Sequence, residues 1–519
     1  MTNASVATPR DNALYRFILD PAEAEPGRVA LIDAVSGATT TRAQLADSVA
    51  KAAGALRALG IQAEQRVMMV MADRPAFLEV FWGAITIGAV PVPVSTMLGP
   101  KDYAFLLRDS RARAVVVSDL FAANVLPATE NQPFLEHVLV EGKPVENTID
   151  YAGARDAARA GSLYPSDAED VAFWLYTSGT TGFPKGAIHR HGDMAFLADR
   201  YARDIMRVDR NDRMYAVPKL FFAYGLGVSY FALGNGACHI LFDGRPTVEA
   251  VLDHVRVHKP TLFWGVPTFL SLLLGSDAPA DAFASVRVAV TGGETLPDEL
   301  RRRCKERFGL VALDSIGSTE AAHIYICNRL DRQHPGSTGW PVEGFEVELR
   351  DPSGALVADG EPGELYLAGD SITTGYWRRT ERNRKAFQGR FFATGDTFIR
   401  NADGSYSYLG RGDDMIKASG LWVSPAEVEA CIVELPEVAL AAVVGAKADD
   451  GLDKPKAFIV LQRGVTGDDA LTARIQEHVK KRLAPYKYPR WVEYVSELPL
   501  TPTGKVKRYL LRDRAGQAG

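Results

Sequence analysis

The residues best placed to do chemistry lie in the stretch Tyr176-Thr177-Ser178-Gly179-Thr180-Thr181-Gly182-Phe183-Pro184-Lys185-Gly186, where hydroxyls, glycines and a lysine directly follow the apolar run Val171 to Tyr176. Glycine lets the backbone turn tightly and take up positive φ, so amide N–H groups and the hydroxyls of Thr177, Ser178, Thr180 and Thr181 can converge on the oxygens of a polyphosphate. Lys185 adds a mobile cation. The spacing is not that of a P-loop NTPase, because Gly186 follows Lys185 where G-x-x-x-x-G-K-[ST] needs a hydroxyl for the metal. The composition is that of an ATP loop of another kind.

This loop resembles the signature loop of the adenylate-forming (ANL) superfamily, which includes acyl-CoA synthetases, the adenylation domains of peptide synthetases, and luciferases. Further segments fall in the order and approximate spacing that the resemblance demands. Asp314-Ser315-Ile316-Gly317-Ser318-Thr319-Glu320 resembles the second nucleotide motif, which implies an ATP-site place for Asp314, an α-phosphate contact for Thr319 and a share in holding Mg²⁺ for Glu320. A hard oxygen ligand beside a triphosphate is what Mg²⁺ accepts. Gly292-Gly293-Glu294-Thr295-Leu296-Pro297 is similar to the strand end that lies against adenine, which implies nucleotide contacts for Gly293, Glu294 and Thr295. Thr394-Gly395-Asp396 resembles the ribose-binding turn, with Arg411 expected on the same sugar.

Near the C-terminus, Lys505 in Thr501-Pro502-Thr503-Gly504-Lys505 matches the superfamily's catalytic lysine. Its ammonium would bind the acid's carboxylate and the α-phosphate as charge redistributes during in-line attack. Asp413 matches the hinge about which the small domain turns. After that turn the segment Lys417 to Trp422 is expected to face the site, with Ser419, Gly420 and Trp422 along the tunnel for the pantetheine thiol. Hinges absorb such changes in a few dihedrals.

The acid is read from two places. Lys219-Leu220-Phe221-Phe222-Ala223-Tyr224-Gly225-Leu226-Gly227 is similar to benzoate-CoA ligases and offers Phe222, Ala223 and Tyr224 where amino-acid-activating domains carry an aspartate. His323-Ile324-Tyr325 resembles aryl ligases, with His323 near the carboxylate or ring edge and Ile324 beside it. Aromatic and aliphatic walls suit a planar ring, and the polar edge of His323 suits a substituent such as an ortho amino group. Gly292, with Gly293 and Glu294, and the pair Ala321-Ala322 depart from the benzoate-ligase pattern and imply more room beside the ring. Substituted benzoates, anthranilate (2-aminobenzoate) among them, therefore stand close to benzoate.

Positioning these residues calls for α/β architecture. Residues 42–118 alternate helix-like segments such as Ala43 to Leu59 with short β-rich ones such as Arg66 to Met71 and Ala114 to Ser118, and the alternation returns over 171–330. Such βα units imply mainly parallel sheet. Ala76 to Val94 reads as a helix followed by a buried strand, and Ala152 to Asp170 as a surface connection. Over 337–410, Phe345 to Leu349, Gly363 to Ala368, Phe391 to Thr394 and Tyr406 to Leu409 read as the strands of a compact β subdomain. The Gly410 to Asp414 connection then divides a large adenylating domain, 1–411, from a small mobile α+β domain, 412–519. Ser424, Pro425 and Glu427 open that domain's first helix as a capping box.

With 519 residues, 47% apolar, 24% charged and a net charge of −5, the composition is that of a soluble globular protein without an electrostatic case for nucleic acid. Cys238, Cys304, Cys327 and Cys431 are scattered, which excludes a C-x-x-C zinc site and fits buried thiols in a reducing cytoplasm. No stretch reads as a secretory signal or a membrane span. The expected activity is an aryl-CoA ligase using ATP, Mg²⁺ and coenzyme A on a small aromatic carboxylic acid. An enzyme loading a carrier-protein phosphopantetheine is the alternative, and monomer and homodimer both stay open. A non-catalytic binding protein is disfavoured by the intact Lys185, Glu320, Asp396 and Lys505.

Overall fold

The computed structural model describes residues 12–177, 184–412, 414–418, 421–448, 453–500 and 506–516. The fold is mixed α/β, with a large N-terminal domain and a smaller C-terminal one, and the described chain gathers into two compact units. The first comprises Met1–Trp264, Gly317–Ile324 and Gly369–Phe387; the second comprises Gly265–Ile316, Tyr325–Ala368 and Gln388–Gly519.

In the first unit, five strands run parallel in the order Val90–Pro93, Arg66–Val70, Ala114–Ser118, His137–Glu141, Ile149–Asp150. Val, Met, Pro and Ala make Val90–Pro93, Arg66–Val70 and Ala114–Ser118 nearly apolar on both faces, as the covered centre of a parallel sheet requires. Helix Arg42–Ala58 opens on a reciprocal cap: the Thr41 hydroxyl accepts from Gln44 N and the Gln44 amide accepts from Thr41 N. Helix Pro75–Thr86 carries Glu79 into the interior, where the carboxylate receives Arg155 at 2.8 Å and the Tyr151 hydroxyl at 3.0 Å. Arg155 lies in the stretch Ala152 to Asp170 read as a surface connection, and Tyr151 immediately precedes it. The start of that stretch belongs to a helix, Tyr151–Ala157, that is capped by Asp150 and supplies donors to the buried carboxylate, while residues 158–170 carry no helix or strand.

A second parallel set, Val29–Asp33, Cys238–Leu241, Arg213–Ala216 and Leu262–Gly265, is edged by the antiparallel Thr39–Thr41. Strands Val171–Thr177 and Lys185–Arg190 form a separate antiparallel hairpin.

In the second unit, Val288–Thr291 runs parallel to Ala312–Gly317. Strands Glu346–Arg350, Pro362–Ala368, Phe391–Arg400 and Tyr406–Arg411 form an antiparallel β subdomain, as the turn-rich sequence predicts. The C-terminal region packs helices Pro425–Val433 and Asp469–Arg482 on the sheet Val438–Lys447, Asp453–Leu461, Trp491–Tyr494, with Val428, Ile432, Val443, Ile459, Ile475 and Val479 in its core. Ser424 caps the first of these helices through Glu427 N at 3.1 Å. The expected box is only half made, because the Glu427 carboxylate turns to Lys487 Nζ at 2.5 Å, a charge-assisted bond. All four cysteines are buried and free.

Candidate active site

Register on the hairpin sets the first part of the site. Thr177 pairs with Lys185 and Tyr176 with Gly186, so the hydroxyl-rich stretch joins two strand ends that face each other. A third segment lies along the second strand: Ile188 N donates to Thr373 Oγ1 at 2.9 Å, Thr374 N to Ile188 O at 3.2 Å and Trp377 N to Gly186 O at 2.8 Å. This brings the Tyr376 ring to 4.2 Å from Lys185 Nζ. The Tyr376 hydroxyl donates to Glu320 Oε1 at 2.7 Å, and Lys185 Nζ stands 4.0 Å from the same oxygen. Lysine and glutamate are both buried, so their attraction and the lysine's interaction with the tyrosine face are little screened by solvent.

Glu320 is set by a turn that begins at Gly317. Ser318 N donates to His323 O at 3.2 Å and Ala322 N to Thr319 O at 3.1 Å, with Ala322 left-handed at φ 62°. A Cβ on Gly317 would come within 2.4 Å of His323 O, so the turn closes only on glycine there. The turn is held from outside: His189 Nε2 donates to Thr319 O at 2.8 Å, Thr373 N to Glu320 O at 2.7 Å and Ser371 Oγ to Ala321 O at 2.9 Å. His189 is itself held through Nδ1 by Asp193 at 2.9 Å.

The far end of the same turn enters an aromatic cage. His323 lies among Phe231, Tyr224 and Tyr201, at ring-centroid distances of 4.7, 5.4 and 5.5 Å. The Tyr224 carbonyl accepts from Nε2 at 3.2 Å. Helix Ala223–Gly234 leaves room for the imidazole at Gly227, where a Cβ would lie 2.2 Å from His323 Cδ2. Burial pushes the His323 pKa down to about 3, so the ring is neutral at ordinary pH. With Nε2 as the donor, Nδ1 is an acceptor, and it is buried without a hydrogen-bond partner among the described residues. Phe222, Ala223 and Tyr224 are half-buried at the mouth of this helix, and Ile324 is buried beside the histidine.

Other expected site residues belong to the second unit. Gly292 is buried and Gly293 exposed, while Glu294 turns its carboxylate to Thr268, accepting from the amide at 3.1 Å and the hydroxyl at 2.7 Å at the start of helix Pro267–Leu274. Thr295 is half-buried beside it. Asp314 Oδ1 accepts from Leu296 N at 3.3 Å, and burial raises its pKa well above the ordinary carboxylate range. Asp396 and Arg411 are opposite each other across two strands, with Nη1 3.2 Å from Oδ1. Ser178, Gly179, Thr180, Thr181, Asp413, Ser419, Gly420 and Lys505 lie outside the described residues, as does the side chain of Trp422.

A buried lysine–glutamate–tyrosine cluster at the strand ends where Thr177 pairs with Lys185 suits nucleotide phosphates. The profile of the family "AMP-binding enzyme" matches residues 19–377, and that of its C-terminal domain matches residues 427–505. The chain belongs to the AMP-binding enzyme family. This AMP-binding enzyme is 41% identical to the benzoate–CoA ligase of Thauera aromatica, over 94% of the chain and 92% of the relative. Its fold is similar to that of a benzoate CoA ligase from Burkholderia xenovorans LB400, with a TM-score of 0.90, 40% identity and coverage of 97% and 99% of the two chains. It is also similar to the anthranilate CoA ligase AuaEII solved with anthranoyl-AMP, with a TM-score of 0.94, 35% identity and coverage of 100% and 99%.

Sequence reasoning missed Tyr376, Thr373 and His189 in this AMP-binding enzyme. Tyr376 and Thr373 lie about 190 residues beyond Lys185 and reach it only through strand pairing. The one local signal was the hydroxyl- and aromatic-rich run Ser371 to Trp377.

Proposed function

We propose that the protein is an ATP-dependent aryl-CoA ligase acting on benzoate or a substituted benzoate such as anthranilate. The observation that carries this reading is the single turn Ser318–His323, which presents Glu320 to Lys185 at one end and a neutral, caged histidine at the other. Activation chemistry and an aromatic-lined recognition element are thereby fixed a few residues apart. The buried Nδ1 acceptor of His323 favours acids with an ortho donor, such as an amino group, because an unpaired buried acceptor is costly until a donor reaches it.

In the first half-reaction a carboxylate oxygen of the acid bonds to the α-phosphorus as the bond to pyrophosphate breaks. Thr177 and Lys185 bind phosphate oxygens, and Thr319 orients the α-phosphate. Asp396 and Arg411 hold the ribose, while Gly293, Glu294, Thr295 and Asp314 serve the nucleoside end. Lys505 bridges the acid and the α-phosphate. Glu320 is a hard oxygen donor suited to Mg²⁺, which when bound offsets phosphate charge. In the second half-reaction the CoA sulfur bonds to the acyl carbon, AMP leaves, and the thiol proton passes to solvent. We assign the catalytic domains to 1–411 and 412–519, with Asp413 as hinge and Ser419, Gly420 and Trp422 along the thiol path. Four buried free cysteines support a cytoplasmic location, and no helix among the described residues is long and apolar enough to cross a membrane.

The test is incubation with ATP, Mg²⁺ and benzoate, anthranilate, hydroxybenzoates, cinnamates or hexanoate, with and without CoA, with products identified by mass. Aryl-CoA from a ring acid is the expected product. Aryl-AMP without thioester would shift the acceptor to a carrier protein, and turnover of hexanoate alone would overturn the aryl assignment.

A further inference from the structure

Asp109 lies near the C-terminal end of helix Pro100–Ser110, where a negative charge opposes the helix dipole. Its side chain is only 9% exposed, so its place is explained by what it binds. Oδ2 accepts from the Tyr176 hydroxyl and Oδ1 from Arg379 Nη2, both at 2.8 Å, and the main-chain carbonyl accepts from Trp377 Nε1 at 3.0 Å. Each partner adjoins the nucleotide cluster. Tyr176 precedes Thr177 on one strand of the hairpin, and Arg379 Nη2 also lies 3.5 Å from the carbonyl of Pro184, which precedes Lys185 on the other. Trp377 follows Tyr376, whose ring covers Lys185 and whose hydroxyl holds Glu320. The arrangement is stiffened by Arg66, whose guanidinium lies 5.5 Å from the Trp174 ring and 5.4 Å from that of Trp377.

We propose that Asp109 is a positioning residue for nucleotide binding. One buried carboxylate, through Tyr176 on one side and Arg379 on the other, sets the separation of Thr177 from Pro184, and through Arg379, three residues after Tyr376, it ties down the segment whose ring covers Lys185. Without it the half-buried Tyr176 phenol would lose this acceptor and Arg379 its counter-charge, and bonds of this charge-assisted kind are the costliest to break. The role rests on the reading that this cluster binds ATP.

The test compares the full-length protein with Asp109→Ala, Asp109→Asn and Tyr176→Phe. The ATP Kd is measured by calorimetry, KM for ATP, acid and CoA by product formation, and the thermal midpoint separately. Asp109→Ala is expected to raise the Kd and KM for ATP on the order of ten-fold, with the KM for acid and CoA unchanged. Asp109→Asn keeps one acceptor oxygen and should recover part of the loss, and Tyr176→Phe should shift the ATP constants in the same direction. A lowered thermal midpoint with unchanged ATP constants would reduce Asp109 to a structural residue and overturn the proposal. If Asp109→Ala does not fold, Tyr176→Phe, which deletes one oxygen, decides by the same criterion. A wild-type protein that binds no ATP would overturn the ligase reading itself, and with it this role.

Discussion

Glu320 is the residue on which the described cluster converges, because its side chain meets Tyr376 and Lys185 while its carbonyl meets Thr373. Glu320→Gln keeps an oxygen for the tyrosine and removes the charge. ATP–pyrophosphate exchange driven by the acid should fall about 10²-fold while the thermal midpoint stays near that of the parent. Exchange at the parent rate would remove Glu320 from the chemistry. The lysine and the glutamate were legible in the sequence because each sits in a compact run of hydroxyls and glycines. Tyr376 was not, since the run Ser371 to Trp377 around it suits a buried core tyrosine as well as one whose hydroxyl serves a carboxylate.

Among the elements, the turn Ser318–His323 and helix Ala223–Gly234 fit by a missing side chain at Gly227. Gly227→Ala forces either the helix or the imidazole to move, and destabilisation of about 1–3 kcal/mol is expected, together with a larger rise in KM for the ring acid than for ATP. Urea unfolding and separate KM measurements check the two parts, and equal KM changes would detach His323 from acid recognition. Thr373 ties the segment that carries Tyr376 to the hairpin through Ile188 N at 2.9 Å and Ile188 O at 2.8 Å. Thr373→Val keeps the shape and leaves Ile188 N and O only their longer bonds to Gly375 O and Thr374 N, both 3.2 Å, so it should cost about 1 kcal/mol by the same unfolding assay. Strand and helix positions followed from hydrophobic period, as at Ala114–Ser118 and Arg42–Ala58. The half-made cap at Ser424 did not, because Lys487, about 60 residues away, outbids the helix's own amide for Glu427.

At the scale of the molecule, the C-terminal region is braced beside the expected hinge. Asp414 receives Arg512 at 2.6 Å, and Arg508, from the same helix, reaches Glu429 at 2.9 Å, so the helix that follows Lys505 is tied to the start of the domain. Lys505→Ala should abolish aryl-AMP formation and spare thioester formation from supplied aryl-AMP, whereas Gly420→Leu should do the reverse. Equal loss of both steps in either variant would sink the two-surface assignment. Acid should weaken the whole fold. Burial lowers the pKa of His191 to about 4 and of His239 and His323 to about 3, below the usual 6.5, so the unfolded chain binds more protons in that window. Their contribution is complete above about pH 6.5 and is lost as pH falls toward 4 and then 3. Asp73, raised to about 6, acts in the opposite sense, contributing at low pH and losing that contribution as pH rises through 6. The urea midpoint of His239→Leu should fall less than that of the parent as pH drops from about 7 to about 5, and parallel slopes would discount the histidine.

The sequence by itself determined the α/β class, the β subdomain, and Lys185 and Glu320 as candidates for the site. All of these depend on local spacing and on side-chain chemistry that does not change on folding. Only the tertiary structure decided that Tyr376 meets both Lys185 and Glu320, that Thr268 takes the Glu294 carboxylate, and that His323 is a neutral ring whose buried acceptor is unmatched among the described residues. Those outcomes depend on which distant donors and apolar surfaces arrive at the same place. Burial and pairing are properties of the packed chain, and no local pattern of residues encodes them.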